Sequence, residues 1–247
     1  MTKVYDKSHQ QSTMMMKRFL QPITVVLLTM ALMTNLGCSK EDGYARDITD
    51  KEGNVYKTIR LGDQIWMAEN LRALKYHDES DIPSVRVYAD KEENAKEYGR
   101  LYTWDAVMRG GADKDGNVQG PCPRGWRVPT DNDWKELEEY IGVPSGELNN
   151  IAWRGTIEGG MLKETGTEFW EAPNTEASNT TLFAAKGGGH YNVGLGYTGW
   201  HLQALFWTAT QAQPTSAWNR TLRSAGGEIG RYEANTDQML SVRCIKN

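Results

Sequence analysis

The chain has 247 residues, with 28 basic and 32 acidic side chains and a formal net charge of −4. An acidic chain without a basic cluster argues against nucleic-acid binding and against electrostatic docking on anionic lipid. Nine tryptophans and 25 glycines suit a single loop-rich α+β or mostly β domain rather than a helical bundle.

Residues 16–38 read MKRFLQPITVVLLTMALMTNLGC. Lys17 and Arg18 precede an apolar stretch, 19–33, that has signal-peptide length and is too short for a comfortable membrane span. Gly37-Cys38 then resembles the lipobox of bacterial lipoproteins, with Asn35 where an aliphatic residue is usual. The reading is a signal peptide over 1–37, with Met16 as initiator, lipidation at Cys38 and a lipidated tether over 38–47. The following CSKEDG resembles the signal that sends Bacteroidota lipoproteins to the outer face of the outer membrane. A charged, solvated tether has the same composition. Residues 1–37 carry four bases and one acid, so the remainder has 24 bases against 31 acids and a net charge of −7.

Residues 55–71, VYKTIRLGDQIWMAENL, alternate in the strand manner. Val55, Ile59 and Leu61 fall on one face, Tyr56, Thr58 and Arg60 on the other, and Gly62-Asp63 marks a hairpin turn. Asp90 is placed to cap a short helix over 91–98 that Gly99 ends. Thr130 and Asp133 have capping-box spacing, and Trp134, Leu137 and Ile141 recur at helical period up to Gly142. That spacing turns Lys135, Glu136, Glu138 and Glu139 towards water. A short helical turn follows near 158–163. From Phe206 onward LFWTAT, AWNRTLR, IGRYEA and LSVRCIK alternate with turns and predict an antiparallel meander.

Once Cys38 is set aside, Cys122 and Cys244 remain. An even pair in an exported chain is most simply a disulfide. Closing about 120 residues, it stabilises the fold by roughly 4–5 kcal/mol in the chain-entropy treatment. A nucleophilic Cys122 needs a basic site and a histidine partner. Arg124 and Arg127 are near, but nothing in the sequence directs a histidine to it.

Five blocks carry a family likeness: DKEGNVYKTIRLGDQIWMAENL, YGRLYTWDAV, CPRGWRVPTDNDW, GGMLKETGTEFWEAPNTEASN and LSVRCIKN. In this order they resemble the Fibrobacter succinogenes major paralogous domain, over 48–247. That family is similar to the C-type-lectin-like fold and to the domain of formylglycine-generating enzymes. The resemblance implies an α+β domain with a twisted antiparallel sheet, two main helices, long loops and neighbouring termini. It implies no activity. After Phe183, AAKGGGHYNVGLGYTGWH replaces the family's usual Ser-Ala-Leu-Pro-Gly-Gly, so no ligand contact carries over there.

Other motifs have plain readings. Formylglycine generation needs redox-active cysteines, and both available ones are assigned to the bridge. Gly194, Gly196 and Gly199 spell GxGxxG, but no helical pattern follows, which fits a glycine loop and not a dinucleotide site. His77, His190 and His201 lack metal-ligand spacing. Asp113, Asp115 and Asn117 take the alternating positions of a calcium loop without its distal glutamate; calcium there is the one cofactor considered. EAPN, 171–174, is similar to the Glu-Pro-Asn of calcium-dependent lectins with an alanine inserted.

The expectation is a non-catalytic surface lipoprotein whose domain binds a glycan or a surface protein, with the lipid anchor its only membrane contact and no nucleic-acid partner. A structural part of a surface assembly is the alternative, and an enzyme of the formylglycine-generating type ranks last. Loops on a cross-linked core carry binding in such domains. The expected ligand-binding residues are Trp170, Asn174, His190, Tyr191, Tyr197 and Trp200, in a glycine- and aromatic-rich segment.

Overall fold

The computed structural model describes residues 43–112 and 117–247. The signal peptide, Cys38 and the calcium-loop residues Asp113 and Asp115 lie outside the described residues. The fold is α+β, mostly sheet.

Strands β1 (Tyr44–Thr49), β2 (Val55–Leu61) and β3 (Gln64–Met67) run antiparallel in succession. The hairpin expected at Gly62-Asp63 is present between β2 and β3. β1 begins inside the stretch read as tether. β4 (Val85–Arg86), a 3-10 turn (Tyr88–Asp90) and helix α1 (Asn94–Tyr98) follow, then β5 (Leu101–Thr103), α2 (Trp104–Val107) and β6 (Trp126–Arg127). Helix α3 (Asp131–Ile141) is next, then β7 (Ala152–Arg154), α4 (Glu158–Leu162), β8 (Gly188–Asn192) and β9 (Gly196–Trp200). β10 (Gln203–Gln213), β11 (Ser216–Arg223) and β12 (Ile229–Asn235) form the meander, and β13 (Met239–Leu240) and β14 (Ile245–Lys246) close the series.

One sheet has the order β1-β2-β3-β14-β6. The other runs β4-β5-β13-β8-β10-β11-β12-β7, with β9 added alongside β8. The last segment therefore leaves the meander, contrary to the reading of LSVRCIK as its fourth strand. Residues 240–245 are all buried, whereas a strand on the meander's edge would expose alternate side chains. β14 instead pairs with β3 and β6 in the other sheet.

Two apolar clusters fill the interior, and β2 serves both. Tyr56 packs with Trp207, Leu240 and Val242, while Ile59 and Leu61 pack with Trp134, Trp170 and Phe206. Strict alternation therefore fails: Tyr56 and Thr58 are buried and Val55 is exposed. The strand changes cores midway along its length.

Helix α3 follows its local signals. Asp133 N–H donates to Thr130 Oγ1 at 3.1 Å, and Thr130 N–H donates to Asp133 Oδ2 at 2.6 Å. Gly142 closes the helix at φ 117, a left-handed position that suits glycine. One assignment is corrected. Glu138 does not face water; it is 0% exposed and clasped by Arg154 through two bonds of 2.7 and 2.8 Å. Arg220 also donates to Glu138 and reaches Asp131 at 2.8 Å, where Arg231 joins it at 2.8 and 2.9 Å. A buried carboxylate is tolerable only when paired in this way.

The first helix is shorter than expected. Asp90 does not cap it, because the Asp90 carboxylate is held by Arg86 and Tyr197. The helix begins at Asn94 and ends at Gly99, φ 74. Of the two main helices implied by the resemblance, only α3 exceeds five residues. Lys163 is buried, and its ammonium donates to the carbonyls of Thr175, Arg223 and Gly226 at 2.8–3.0 Å, tying α4 to two loops.

Cys122 and Cys244 form a disulfide with Cα atoms 5.9 Å apart across 122 residues. Peptide mapping without reductant should find them linked, and reduction should lower unfolding free energy by up to about 4–5 kcal/mol. Free thiols in the protein purified without reductant contradict this. Glu138→Ala should cost about 3–5 kcal/mol, because it strands buried guanidinium groups. Glu139→Ala, on the exposed side, should stay within about 0.5 kcal/mol. Equal shifts of the denaturation midpoint in the two variants would refute the assigned roles.

Acid should act on the same network. Burial pushes the Asp131 carboxyl up, but Arg231, Arg220 and Lys135 outweigh it and hold the group well below the usual carboxylate range. The unfolded chain binds this proton near pH ~3.9 while the folded one resists. The stability is therefore present above that pH and lost as pH falls below it. Acid titration followed by circular dichroism should show this loss, and Asp131→Asn should flatten it.

Candidate functional site

A cluster of half-buried aromatic side chains is built on the β8–β9 hairpin. Its register pairs His190 with Thr198, Tyr191 with Tyr197 and Asn192 with Gly196. The segment read as a loop is thus a strand pair from residue 188 onward. Glycine makes the close packing possible. A Cβ on Gly189 would sit 2.4 Å from the Thr198 carbonyl oxygen and 2.7 Å from the Tyr88 ring, at φ +62. Only glycine meets both demands.

Trp200 is the centre. It stacks on Tyr88 at 4.4 Å and 28°, packs on Tyr98 at 4.3 Å, and lies against His201 at 4.8 Å. Tyr197 extends the surface, 5.1 Å from both Tyr88 and Tyr191. Arg86 covers the Tyr191 ring at 4.7 Å and pairs with Asp90 at 3.2 Å, which also accepts from the Tyr197 hydroxyl. Tyr88, Tyr191, Tyr197 and Trp200 are half-buried. The hairpin tip leaves Val193 and Leu195 57% and 76% exposed.

The polar fringe is mostly neutral. Burial pushes His190 and His201 below the ordinary imidazole value, so both rings are uncharged at neutral pH. The Tyr98 hydroxyl lies 2.6 Å from His201 Nε2; burial, then the charges of Glu97 and Glu168, push that phenol up to about 12. Ring faces, imidazole nitrogens and one carboxylate–guanidinium pair suit stacking and hydrogen bonding.

A cleft of about 930 Å³ adjoins this surface. Lys186 lines the cleft, and its ammonium lies 3.8 Å from the Phe169 ring centre. Phe169 meets Tyr98 edge-on at 5.9 Å.

Three of the six expected binding residues come together here, Tyr191, Tyr197 and Trp200, and a fourth, His190, is on the same hairpin with its ring against the Thr198 hydroxyl at 3.1 Å. The other two lie inside the fold. Trp170 is fully buried and donates to the Ala185 carbonyl at 2.8 Å. Asn174 is buried and donates to the carbonyls of Glu164 and Gly166. Both shape the segment from within. Sequence reasoning missed Tyr88, Tyr98 and Arg86, about a hundred residues earlier in the chain, and gave His201 no binding role. Tyr98 just before Gly99 was readable as a helix end, but nothing local joined it to Trp200. Asn117 lines a separate cleft with Arg109 and Gly120. Among the described residues no group of three or more His, Cys, Asp or Glu side chains is arranged to hold a metal ion.

No curated protein and no solved structure matches the chain. A family model described as the Fibrobacter succinogenes major domain matches residues 59–246, more than half of the sequence. That span takes in both bridged cysteines, the capped helix and the aromatic hairpin. The chain belongs to the Fibrobacter succinogenes major domain family.

Proposed function

We propose that this chain is a non-catalytic lipoprotein, anchored through Cys38 at the outer membrane and displayed on the cell surface. Its domain, read as a variant of the C-type-lectin-like fold, binds a glycan through the surface centred on Trp200. Support for the anchor comes from the basic, apolar and Gly37-Cys38 sequence, and support for display from Lys40-Glu41-Asp42. The observation that carries the binding reading is the half-buried stack of Trp200 on Tyr88, continued by Tyr197 and Tyr191. Rings of this kind pack against the apolar C–H face of a sugar, while Asp90 and Arg86 offer partners for its hydroxyls. Glycine-supported strands hold the rings in place before a ligand arrives, which reduces the ordering cost of binding.

The purified protein should bind a defined glycan saturably on an array, and calorimetry should give its affinity. Tyr191→Ala and Tyr197→Ala should each weaken that affinity about tenfold or more, with the melting temperature held. Unchanged affinity would move the site elsewhere. A collapse in melting temperature would return these rings to the core.

A further inference from the structure

The cleft beside the aromatic surface has an uneven charge balance. Along its wall opposite charges neutralise one another: Arg72 with Glu69 at 2.6 Å, Lys186 with Glu97 at 2.6 Å, and Arg100 with Glu92. Two further acids on the lining keep their charge and accept from backbone amides, Glu52 from Leu74 and Lys75 and Glu164 from Thr165, so six cations face five carboxylates. Three cations on the lining have no carboxylate within 4 Å among the described residues: Lys57, Lys96 and Arg243.

Arg243 is the deepest of them, 2% exposed. Its guanidinium donates to Asn70 Oδ1 and to the carbonyls of Phe183 and Ala184, and its plane lies 4.1 Å from the Phe183 ring centre. These partners are neutral. Burial pushes the guanidinium down to about 9, against the opposing pull of the Glu69 and Glu164 charges. The chain as a whole is acidic, so its overall field does not draw anions in; any preference for them has to be local.

We propose that this cleft is a subsite for the acidic group of an anionic saccharide, a carboxylate or a sulfate, whose neutral rings stack on the Trp200 surface. The inference rests on the glycan reading above and adds the chemical class. The two regions are linked through Lys186 on the cleft lining, which reaches the Phe169 ring, and through Phe169, which meets Tyr98. Lys57 and Lys96 meet the anion at the rim, and Arg243 supplies the positive potential below. Charge-assisted bonds of this kind are the strong ones.

The test compares three oligosaccharides of equal length: neutral, uronate-bearing and sulfated. Calorimetry on the purified protein should find one acidic form at least about tenfold tighter than the neutral one. The tighter of the two acids identifies the group. In the Lys57→Glu, Lys96→Glu double variant that advantage should vanish while neutral affinity persists. Equal affinity for acidic and neutral forms, or an advantage that survives the double variant, overturns the subsite and leaves the glycan reading standing. Failure of all three saccharides to bind removes the glycan reading itself.

Discussion

Asp131 and Glu138 lie two turns apart on one helix, and three arginines from three strands converge on them. Arg154 comes from β7, Arg220 from β11 and Arg231 from β12. This set fixes the height and rotation of α3 over the sheet, and with it the position of Trp134 among Trp66, Phe183 and Phe206. Two of these guanidinium groups also reach backbone. Arg154 donates to the Leu148 carbonyl and Arg231 to that of Asn149, so the connection after the helix is held by the same groups. Apolar residues of equal volume could match the stability of such a network. They would not specify its register so sharply, since an ion pair displaced by one residue leaves a bare charge.

What was legible in the sequence was local. The Thr130–Asp133 box, the 134–137–141 stripe and Gly142 all act within one helix, and each is found in place. The Gly62-Asp63 turn is of the same kind. Glu138 could not be read, because its burial depends on arginines 16 and 82 residues away. The β8–β9 hairpin escaped for the opposite reason. Its glycines weaken the period-2 pattern, and their role is to admit Tyr88 and a neighbouring backbone from elsewhere in the fold. Of the candidate site, the rings of the hairpin were readable from composition. The rings from the first half of the chain were not.

The aromatic surface and the ion-pair network divide the labour of the domain. The network holds α3 to its strands through buried ion pairs. The rings rest on a glycine floor and on a turn in which Ala89 and Asp90 both take positive φ. Such backbone positions persist only where surrounding contacts over-determine them. Here the contacts are the Arg86–Asp90 pair and the Tyr197 hydroxyl, so the turn and the hairpin brace each other.

The placement of β14 has a consequence for the order of assembly. It is hydrogen-bonded between β3 and β6, and the Met67–Cys244 contact beside it spans 177 residues. The first three strands can pair among themselves early, because their turns are short. Their β3 edge then waits, unpaired, for a segment far downstream. Folding dominated by such distant pairing is slow, and an open edge is a template for other chains while it lasts. The vulnerable species is therefore a three-stranded sheet formed ahead of its fourth strand, and capture of β14 is the step that ends its exposure.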